Sequence, residues 1–342
     1  MSLSPAQNQL GTRPGLDTVP GASPLNRRDV MKLASLAALG AAATSTAGAA
    51  LAGPASAATV QWAGHKPGSI YLGASSQDFT TTLSRTGQLG LRRTYYRWGD
   101  GAREDRTIRS DHAARRLPWI SFKPPSTSPG GWNAIASGRY DADIRARARR
   151  YAGLSLPVVV TFNHEPHNDS TGTPAEFAKA WSRIHDVMKS ETGLKNVVSV
   201  PIIGDWVFNP VNKRDEPQSY LTPAVLDRCH FLGVDLYQNA SGQGFDIRVG
   251  RVLNFLNSQG HSTKMVGVGE TGATDGYGTP SGSTWWTNSW RWCVANSNRV
   301  AAVSYFNSLH NNNSGNNWLL WESTAKLNAF RASVASTTAC RL

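Results

Sequence analysis

The stretch Leu156-Pro157-Val158-Val159-Val160-Thr161-Phe162-Asn163-His164-Glu165-Pro166 decides the fold. Three valines follow a proline, and no carboxylate appears before Glu165, so the run predicts a short strand that is buried on both faces. Polar residues then gather where the strand ends. Such a strand is typical of a parallel sheet covered by helices, and it places the chemistry at the tip of the strand.

A second stretch has the same form. Lys264-Met265-Val266-Gly267-Val268-Gly269-Glu270-Thr271-Gly272 is another short apolar run that ends in one glutamate and a glycine turn. If both strands belong to one closed parallel barrel, their carboxyl ends open on the same face. Glu165 and Glu270 are then expected to meet, although 105 residues separate them in sequence.

Between and around these stretches, short apolar runs alternate with segments of helical spacing. The predicted strands are 69–74, 91–98, 117–122, 156–162, 197–203, 231–237, 265–269 and 300–306. The predicted helices are 78–89, 108–116, 139–151, 174–189, 223–228, 246–258, 285–296 and 323–334. Eight such units predict an α/β fold with one domain, a (β/α)₈ TIM barrel. The competing fold is a doubly wound open sheet, which usually has a glycine-rich phosphate loop after its first strand, and Gly73-Ala74-Ser75-Ser76 is not one.

The start of the chain has the pattern of an export signal. Arg27-Arg28 precedes a run over 33–52 that is rich in alanine and leucine, and the small residues Ala55-Ser56-Ala57 follow it. We therefore predict a twin-arginine signal over 1–57, cleaved after Ala57, and a secreted barrel over 58–342. A permanent anchor is the weaker alternative because the run is only weakly hydrophobic. We expect the mature chain to be a monomer that does not contact the membrane after cleavage.

The chain is strongly basic, with 35 Lys and Arg against 23 Asp and Glu, a formal net charge of +12. The leader holds four of the basic and two of the acidic residues, so the remainder keeps a formal charge of +10. No basic run is interleaved with stacking aromatics, and we therefore expect no nucleic-acid partner. Attraction to an anionic envelope or polysaccharide fits an exported protein better.

The three cysteines, Cys229, Cys293 and Cys340, are too few for a disulfide scaffold. Cys293 and Cys340 fall in adjacent units of the predicted outer ring, so we predict a disulfide between them and a buried free thiol at Cys229. Three reduced thiols are the alternative.

Two carboxyl groups at strand ends fit the cleavage of a glycosidic bond. One group protonates the leaving oxygen and the other attacks the anomeric carbon, with ~5–5.5 Å between them when the configuration is retained. A lone glutamate in such a place is more often a capping or salt-bridging residue. Two of them, at the two positions that the chemistry requires, favour catalysis by a secreted retaining endo-β-glycosidase that needs no cofactor and no metal.

The sequence resembles the clan of retaining glycoside hydrolases that have a glutamate on strands four and seven of a (β/α)₈ barrel. His164-Glu165 is similar to the His-Glu pair of glycoside hydrolase family 26, the β-mannanase family, and Asn163 and Pro166 resemble the Asn-Glu-Pro of other clan members. The resemblance implies that Glu165 is the acid/base and Glu270 the nucleophile. His164 would contact the sugar at the cleaved bond.

Further along, Gly233-Val234-Asp235-Leu236-Tyr237 resembles the strand-six motif, which implies that Tyr237 hydrogen-bonds the nucleophile. The chain departs from family 26 at Pro166-His167-Asn168-Asp169 and at Thr271-Gly272 after the second glutamate. The chain still resembles the clan despite these departures, but the resemblance does not identify mannan as the substrate.

A zinc peptidase is the alternative suggested by His164 and His167. These histidines are three apart and not four, and Pro166 interrupts any helix that would present them on one face, so we expect no zinc.

Polar and aromatic residues near the strand ends are candidates for binding the polysaccharide. Trp98 and Trp206 follow strand ends on the catalytic face, where flat rings stack on sugars. We add Asn163 and Asn307 as candidate polar contacts. Other tryptophans are as easily explained as core. The alternative function is a secreted carbohydrate-binding barrel without turnover, and the intact carboxyl pair argues against it.

Overall fold

The structure is a computed structural model that describes residues 62–309 and 316–342. The export signal expected over 1–57 lies outside the described residues. The strands are β1 (Ile70–Ser76), β2 (Leu91–Tyr96), β3 (Leu117–Phe122), β4 (Val158–Phe162), β5 (Val197–Ser199), β6 (Ile202–Gly204), β7 (Leu232–Tyr237), β8 (Val266–Gly272), β9 (Val300–Asn307) and β10 (Ala339–Cys340).

Helices follow the strands. They are α1 (Phe79–Thr86), α2 (Gly101–Ala113), α3 (Gly131–Ala136), α4 (Asp141–Ala152), α5 (Pro174–Thr192), α6 (Pro217–Tyr220), α7 (Pro223–Arg228), α8 (Phe245–Ser258), α9 (Gly282–Ala295) and α10 (Thr324–Val334). Short 3₁₀ turns occupy Pro166–Asn168, Asp205–Phe208, Asp275–Tyr277 and Leu320–Glu322.

All neighbouring strands run parallel, in the order β5-β4-β3-β2-β1-β9-β8-β7-β6. The ring closes because β5 and β6 are the two halves of the fifth barrel strand. The backbone N–H of Val200 donates to the Val160 carbonyl at 2.9 Å, and that of Gly233 donates to the Pro201 carbonyl at 2.8 Å. The predicted (β/α)₈ barrel is therefore confirmed, with β7, β8 and β9 as its sixth, seventh and eighth strands.

The predicted continuous strand 197–203 is broken at Pro201. Proline has no N–H to donate to a sheet ladder, so regular pairing stops there. The first half pairs with β4 and the second half with β7. The break turns the chain so that Gly204 and the residues after it face the mouth of the barrel.

Alternate residues of the strands fill two cores. Trp119, Val159, Ile202 and Phe231 are buried in the cluster inside the ring. The opposite faces of the strands pack against the helices in a larger cluster. Every residue of β4 is buried, as the continuous apolar run predicts for a strand covered on both sides.

Local sequence signals place the helices. Thr173 caps α5 in a capping box: its hydroxyl accepts the Glu176 N–H at 3.3 Å, and the Glu176 carboxylate accepts the Thr173 N–H at 2.7 Å. Pro174 occupies the first helical position, and Gly193 ends the helix in the left-handed region with φ of 63°. Three short elements, α3, α6 and β10, were not predicted from the sequence, because segments of two to six residues carry too little periodicity.

The predicted Cys293–Cys340 disulfide is wrong, since all three cysteines are free thiols. Cys293 is buried in α9, which follows β8. The tail instead pairs with β1 through β10, and the Leu342 N–H donates to the carbonyl of Arg115 ahead of β3 at 2.9 Å. The C-terminal tail therefore lies beside β1 and the residues that precede β3. Among the described helices, none is long and apolar enough to cross a membrane.

Candidate active site

Glu165 and Glu270 open into one cleft at the carboxyl ends of the strands. Glu165 is the third residue after the end of β4, and Glu270 lies in β8. The cleft that both glutamates line has a volume of ≈ 450 Å³. Barrel closure thus brings together the two carboxylates that the sequence places 105 residues apart.

Two tyrosine hydroxyls hold the Glu270 carboxylate. Tyr237, at the end of β7, donates to Oε2 at 2.6 Å, and Tyr95, in β2, donates to Oε1 at 2.7 Å. The first contact is the one implied by the strand-six motif. The second was missed, although the alternation of β2 offered a signal, since Tyr95 shares the inward face with Leu91 and Arg93. Together the two hydroxyls fix both carboxylate oxygens.

The backbone of Glu165 is held in an unusual conformation at the strand tip. Its φ of 50° lies in the left-handed region, and its N–H donates to the Ile202 carbonyl at 3.0 Å. A non-glycine residue in this region is uncommon, and such conformations cluster at functional sites. The Glu165 carboxylate accepts a hydrogen bond from the Asn168 side chain at 3.3 Å. Burial, and then the neighbouring Glu270 carboxylate, raise the pKa of Glu165 to about 7.

His164 lies beside the nucleophile candidate. Its Nε2 is 3.9 Å from Glu270 Oε1, and its ring centroid is 5.4 Å from that of Tyr95. Burial holds the pKa of His164 well below its usual range, and the positive charges of Arg93 and Lys123 lower it further. The imidazole is therefore neutral at pH 7 and is able to donate or accept a hydrogen bond to a sugar hydroxyl.

A third carboxyl group, Asp235 in β7, is buried at the floor of the cleft. A Cβ at Gly269 would lie 2.6 Å from Asp235 Oδ1, so only glycine leaves room for this side chain. Burial, and then the charges of Glu270 and Glu165, hold the pKa of Asp235 well above its usual range. This shift favours the protonated form of Asp235 and so lessens the negative charge beneath Glu270.

An ion pair supports the end of β7. The Arg248 guanidinium donates to both Asp205 carboxylate oxygens at 2.6 and 2.5 Å, and it also donates to the backbone carbonyl of Tyr237. This two-pronged geometry is well suited to fix a backbone segment. Arg248 thereby ties α8 to the strand end that carries Tyr237.

Trp98 and Trp206, both predicted to bind sugars, take different positions in the structure. Trp206 lies on the cleft wall with 50 % of its surface exposed, as expected for a stacking platform. Trp318, buried at the edge of the cleft, packs against Tyr237 with ring centroids 5.2 Å apart. Trp98 does not line the cleft. Its indole N–H donates to Asp143 at 3.1 Å, and its ring packs edge-on against Phe122, so the helix layer holds it.

Neither asparagine expected to bind substrate lines this cleft. Asn163 is fully buried, and its side chain donates to Asp169 at 2.8 Å. Asn307 donates to the Thr82 hydroxyl at 3.0 Å and accepts the Leu320 N–H at 2.9 Å. Both amides therefore hold loops in place at strand ends.

The two histidines of the possible zinc motif point to different places. His164 lies against Tyr95, whereas His167 lies near Gly204 and packs edge-on against Tyr220. Burial lowers the pKa of His167 to about 4. Within 62–309 and 316–342, no group of three or more His, Cys, Asp or Glu side chains is arranged to hold a metal ion.

Solved structures of glycoside hydrolases share this architecture. GH26C from a Muricauda species matches with a TM-score of 0.54 at 14% identity, over 80% of this chain and 87% of its own. A β-mannanase from a symbiotic protist of the termite Reticulitermes speratus matches with a TM-score of 0.51 at 14% identity, over 80% and 88%. Fungal β-1,4-galactanases match with a TM-score of 0.55 at 14% identity, over 77% and 99%.

No protein-family model and no curated protein matches the sequence. At 14% identity these structural matches show the fold alone. The barrel agrees with the architecture that the resemblance to family 26 implies. The chain has the (β/α)₈-barrel fold of these glycoside hydrolases.

Proposed function

We propose that the protein is a retaining glycoside hydrolase that cleaves a β-linked polysaccharide by double displacement. The observation that carries this proposal is the pairing of two unlike glutamates in one cleft. Glu270 is fixed by two tyrosine hydroxyls, and Glu165 has a pKa raised to about 7. Environments that push two carboxyl groups toward different protonation states suit an acid and a nucleophile.

In the first step the protonated Glu165 gives its proton to the glycosidic oxygen as Glu270 attacks the anomeric carbon. The bond to the leaving sugar breaks, and a glycosyl-enzyme forms on Glu270. In the second step the ionised Glu165 takes a proton from water. The water oxygen attacks the anomeric carbon from the face that the leaving sugar left, which releases Glu270 and retains the configuration.

The cleft also supports recognition of a chain of sugars. Trp206 offers an exposed aromatic face, and the neutral His164 and His167 offer hydrogen bonds near the reacting groups. The solved relatives in fold are named as a β-mannanase, β-1,4-galactanases and endo-β-1,4-glucanases. These β-glycans are therefore the first substrates to test, and we propose endo action because the cleft is lined by loops from several strands.

The export signal expected over 1–57 fits this role, because polysaccharides are too large to be taken up before cleavage. We propose that the protein is secreted through the twin-arginine route and acts as a monomer outside the cell or in its envelope. The twin arginine Arg27-Arg28 and the small-residue site at Ala55-Ser56-Ala57 support the proposal.

A substrate screen tests the proposed activity. The purified mature protein is incubated with mannans, β-1,3- and β-1,4-glucans, β-1,4-galactan, xylans and arabinans, and new reducing ends are measured. We expect hydrolysis of at least one of these polysaccharides, with oligosaccharide products early in the reaction. Binding to a polysaccharide without new reducing ends would favour a carbohydrate-binding barrel instead.

The pH dependence of kcat/KM follows from the state of Glu165. Glu165 must be protonated to cleave the bond, and with a pKa of about 7 it is protonated below that pH and loses its proton above it. We expect kcat/KM to fall about tenfold per pH unit above pH ~7. The Glu165→Ala variant, assayed on an aryl glycoside with a good leaving group, should lack this alkaline limb. A wild-type plateau extending to pH ~9 would contradict the assignment of Glu165 as the acid.

A further inference from the structure

A second depression lies on the same face of the barrel, where β1 and β2 separate. The two strands pair only at Gly73–Leu91 and Ala74–Arg92. Beyond that point β1 continues beside β9 as far as Ser76, and β2 continues beside β3 as far as Tyr96. The gap leaves a slot with a volume of ≈ 340 Å³, within the range of ~300–1,000 Å³ that is usual for small-molecule sites.

The slot is positively charged. Three arginines line it, namely Arg92, Arg93 and Arg103, and no Asp or Glu is among the described residues of its wall. The catalytic cleft differs, because its lining has four carboxyl groups, those of Glu165, Asp205, Asp235 and Glu270, against two arginines, Arg214 and Arg248. An anionic ligand is therefore favoured in the slot over the cleft beside it.

The arginines keep donors for a ligand. Among the described residues, the hydrogen bonds of Arg103 to Asp100 and to the Tyr95 carbonyl are both made by Nη2, and its side chain is 59% exposed. Arg92 stacks on Phe79, and its nearest carboxylate oxygen, on Asp111, is 3.9 Å away. Guanidinium groups have five N–H donors each and match the planar fork of a carboxylate.

Arg93 adds a buried positive charge behind the slot. It is 1% exposed, and none of its three guanidinium nitrogens has a hydrogen-bond partner among the described residues. The guanidinium lies over the ring of Tyr95, 4.7 Å from its centroid. A buried charge is poorly screened, so the charge of Arg93 acts on Asp235 in the cleft and also on an anion in the slot.

The slot adjoins the reacting groups. Tyr95, which lines it, donates its hydroxyl to Glu270 at 2.7 Å. Phe306, on the opposite wall, packs edge-on against Tyr237 with ring centroids 5.8 Å apart. One layer of aromatic side chains thus separates the slot from the nucleophile.

We propose that this slot binds the carboxylate of an acidic sugar unit, so that the substrate is a polysaccharide containing uronic acid. The assignment rests on the proposed glycosidase function and specifies its substrate class. Arg92 and Arg103 bind the carboxylate, and the buried positive charge of Arg93 attracts it electrostatically. Ser76, Gln77 and Thr107 on the slot wall bind the sugar hydroxyls.

Binding measurements test the proposal without any need for turnover. The mature protein is titrated at low ionic strength with D-glucuronate, D-glucose and D-glucose 6-sulfate, followed by NMR. We expect D-glucuronate to bind at least about tenfold more tightly than D-glucose, the smallest factor that one charged hydrogen bond gives. Equal affinity for the two would overturn the proposal, and tighter binding of D-glucose 6-sulfate would overturn the assignment to a carboxylate.

A matched pair of variants locates the binding. Arg103→Gln should weaken D-glucuronate binding about tenfold and leave D-glucose binding unchanged. Arg106→Gln removes the same charge from the exposed face of the same helix, outside the slot, and should change D-glucuronate binding less than twofold. An equal loss in both variants would mean that surface charge alone attracts the anion, and would overturn the assignment of the slot.

The outcomes separate this proposal from the proposed function. Preference for D-glucuronate that depends on Arg103, in a protein that hydrolyses no polysaccharide, would support the slot and refute the glycosidase. Hydrolysis of a neutral β-glycan, in a protein that binds D-glucuronate no better than D-glucose, would support the glycosidase and refute the slot.

Discussion

Replacing Glu270 with glutamine is expected to lower turnover by on the order of 10⁶-fold, a loss of the size seen when a covalent nucleophile is removed. Glutamine has nearly the shape of glutamate but cannot form the glycosyl-enzyme. Its amide oxygen still accepts a hydrogen bond from one of the hydroxyls that hold Glu270, those of Tyr95 and Tyr237. Turnover is measured from reducing ends released from the polysaccharide identified in the screen.

A matched control keeps this result interpretable. Glu191→Gln makes the same change in α5, where the carboxylate pairs with Arg149 at 2.6 Å on the outer layer. We expect full activity in that variant, and melting temperatures close to the wild-type value in both. A fall in turnover of less than about 10²-fold in Glu270→Gln, with the fold intact, would rule out Glu270 as the nucleophile.

Replacing Glu165 with alanine is expected to divide substrates by their leaving groups. Without an acid, cleavage of the natural glycosidic bond should slow by about 10²–10⁴-fold, because the leaving oxygen is not protonated. An aryl glycoside whose phenolate leaves without a proton should still form the glycosyl-enzyme. That intermediate should accumulate, because no group activates the water that releases it.

Azide provides the decisive measurement for Glu165. It needs no general base, so it should restore turnover of the aryl glycoside in Glu165→Ala and give a glycosyl azide of retained configuration. It should not restore Glu270→Gln. NMR of the first product identifies the anomer. Inverted product in the wild-type protein, or an azide effect that is equal in the two variants, would contradict the proposed roles.

The positions of the site residues along the chain explain why some of them were predicted from the sequence and others were not. Glu165 and Glu270 were identified because each follows a predicted strand, and a strand end in a parallel barrel faces the mouth whatever the detail of the packing. Tyr237 was identified from the resemblance of its motif to that of the clan. Tyr95 lies in β2, three strands from β8 around the ring, in a run with no distinctive motif. Only the closed ring shows that it bonds Glu270.

Three candidates lie away from the cleft for a common physical reason. Trp98 follows a strand end, as Trp206 does. Its indole N–H, however, donates to Asp143, and its ring packs against Phe122 in the helix layer. Asn163 and Asn307 satisfy their amides within the protein. Rotamers and partners of loop residues depend on contacts that are remote in sequence, so position along the chain does not determine them.

The sequence by itself determined the alternation of strands and helices, the barrel, and the two glutamates at its mouth, because periodicity and strand ends are local properties of the chain. Tertiary structure alone decided the free state of Cys293 and Cys340, the raised pKa of Glu165 and the arginine-lined slot between β1 and β2. Each of these depends on distances between groups far apart in sequence, and such distances exist only once the ring has closed.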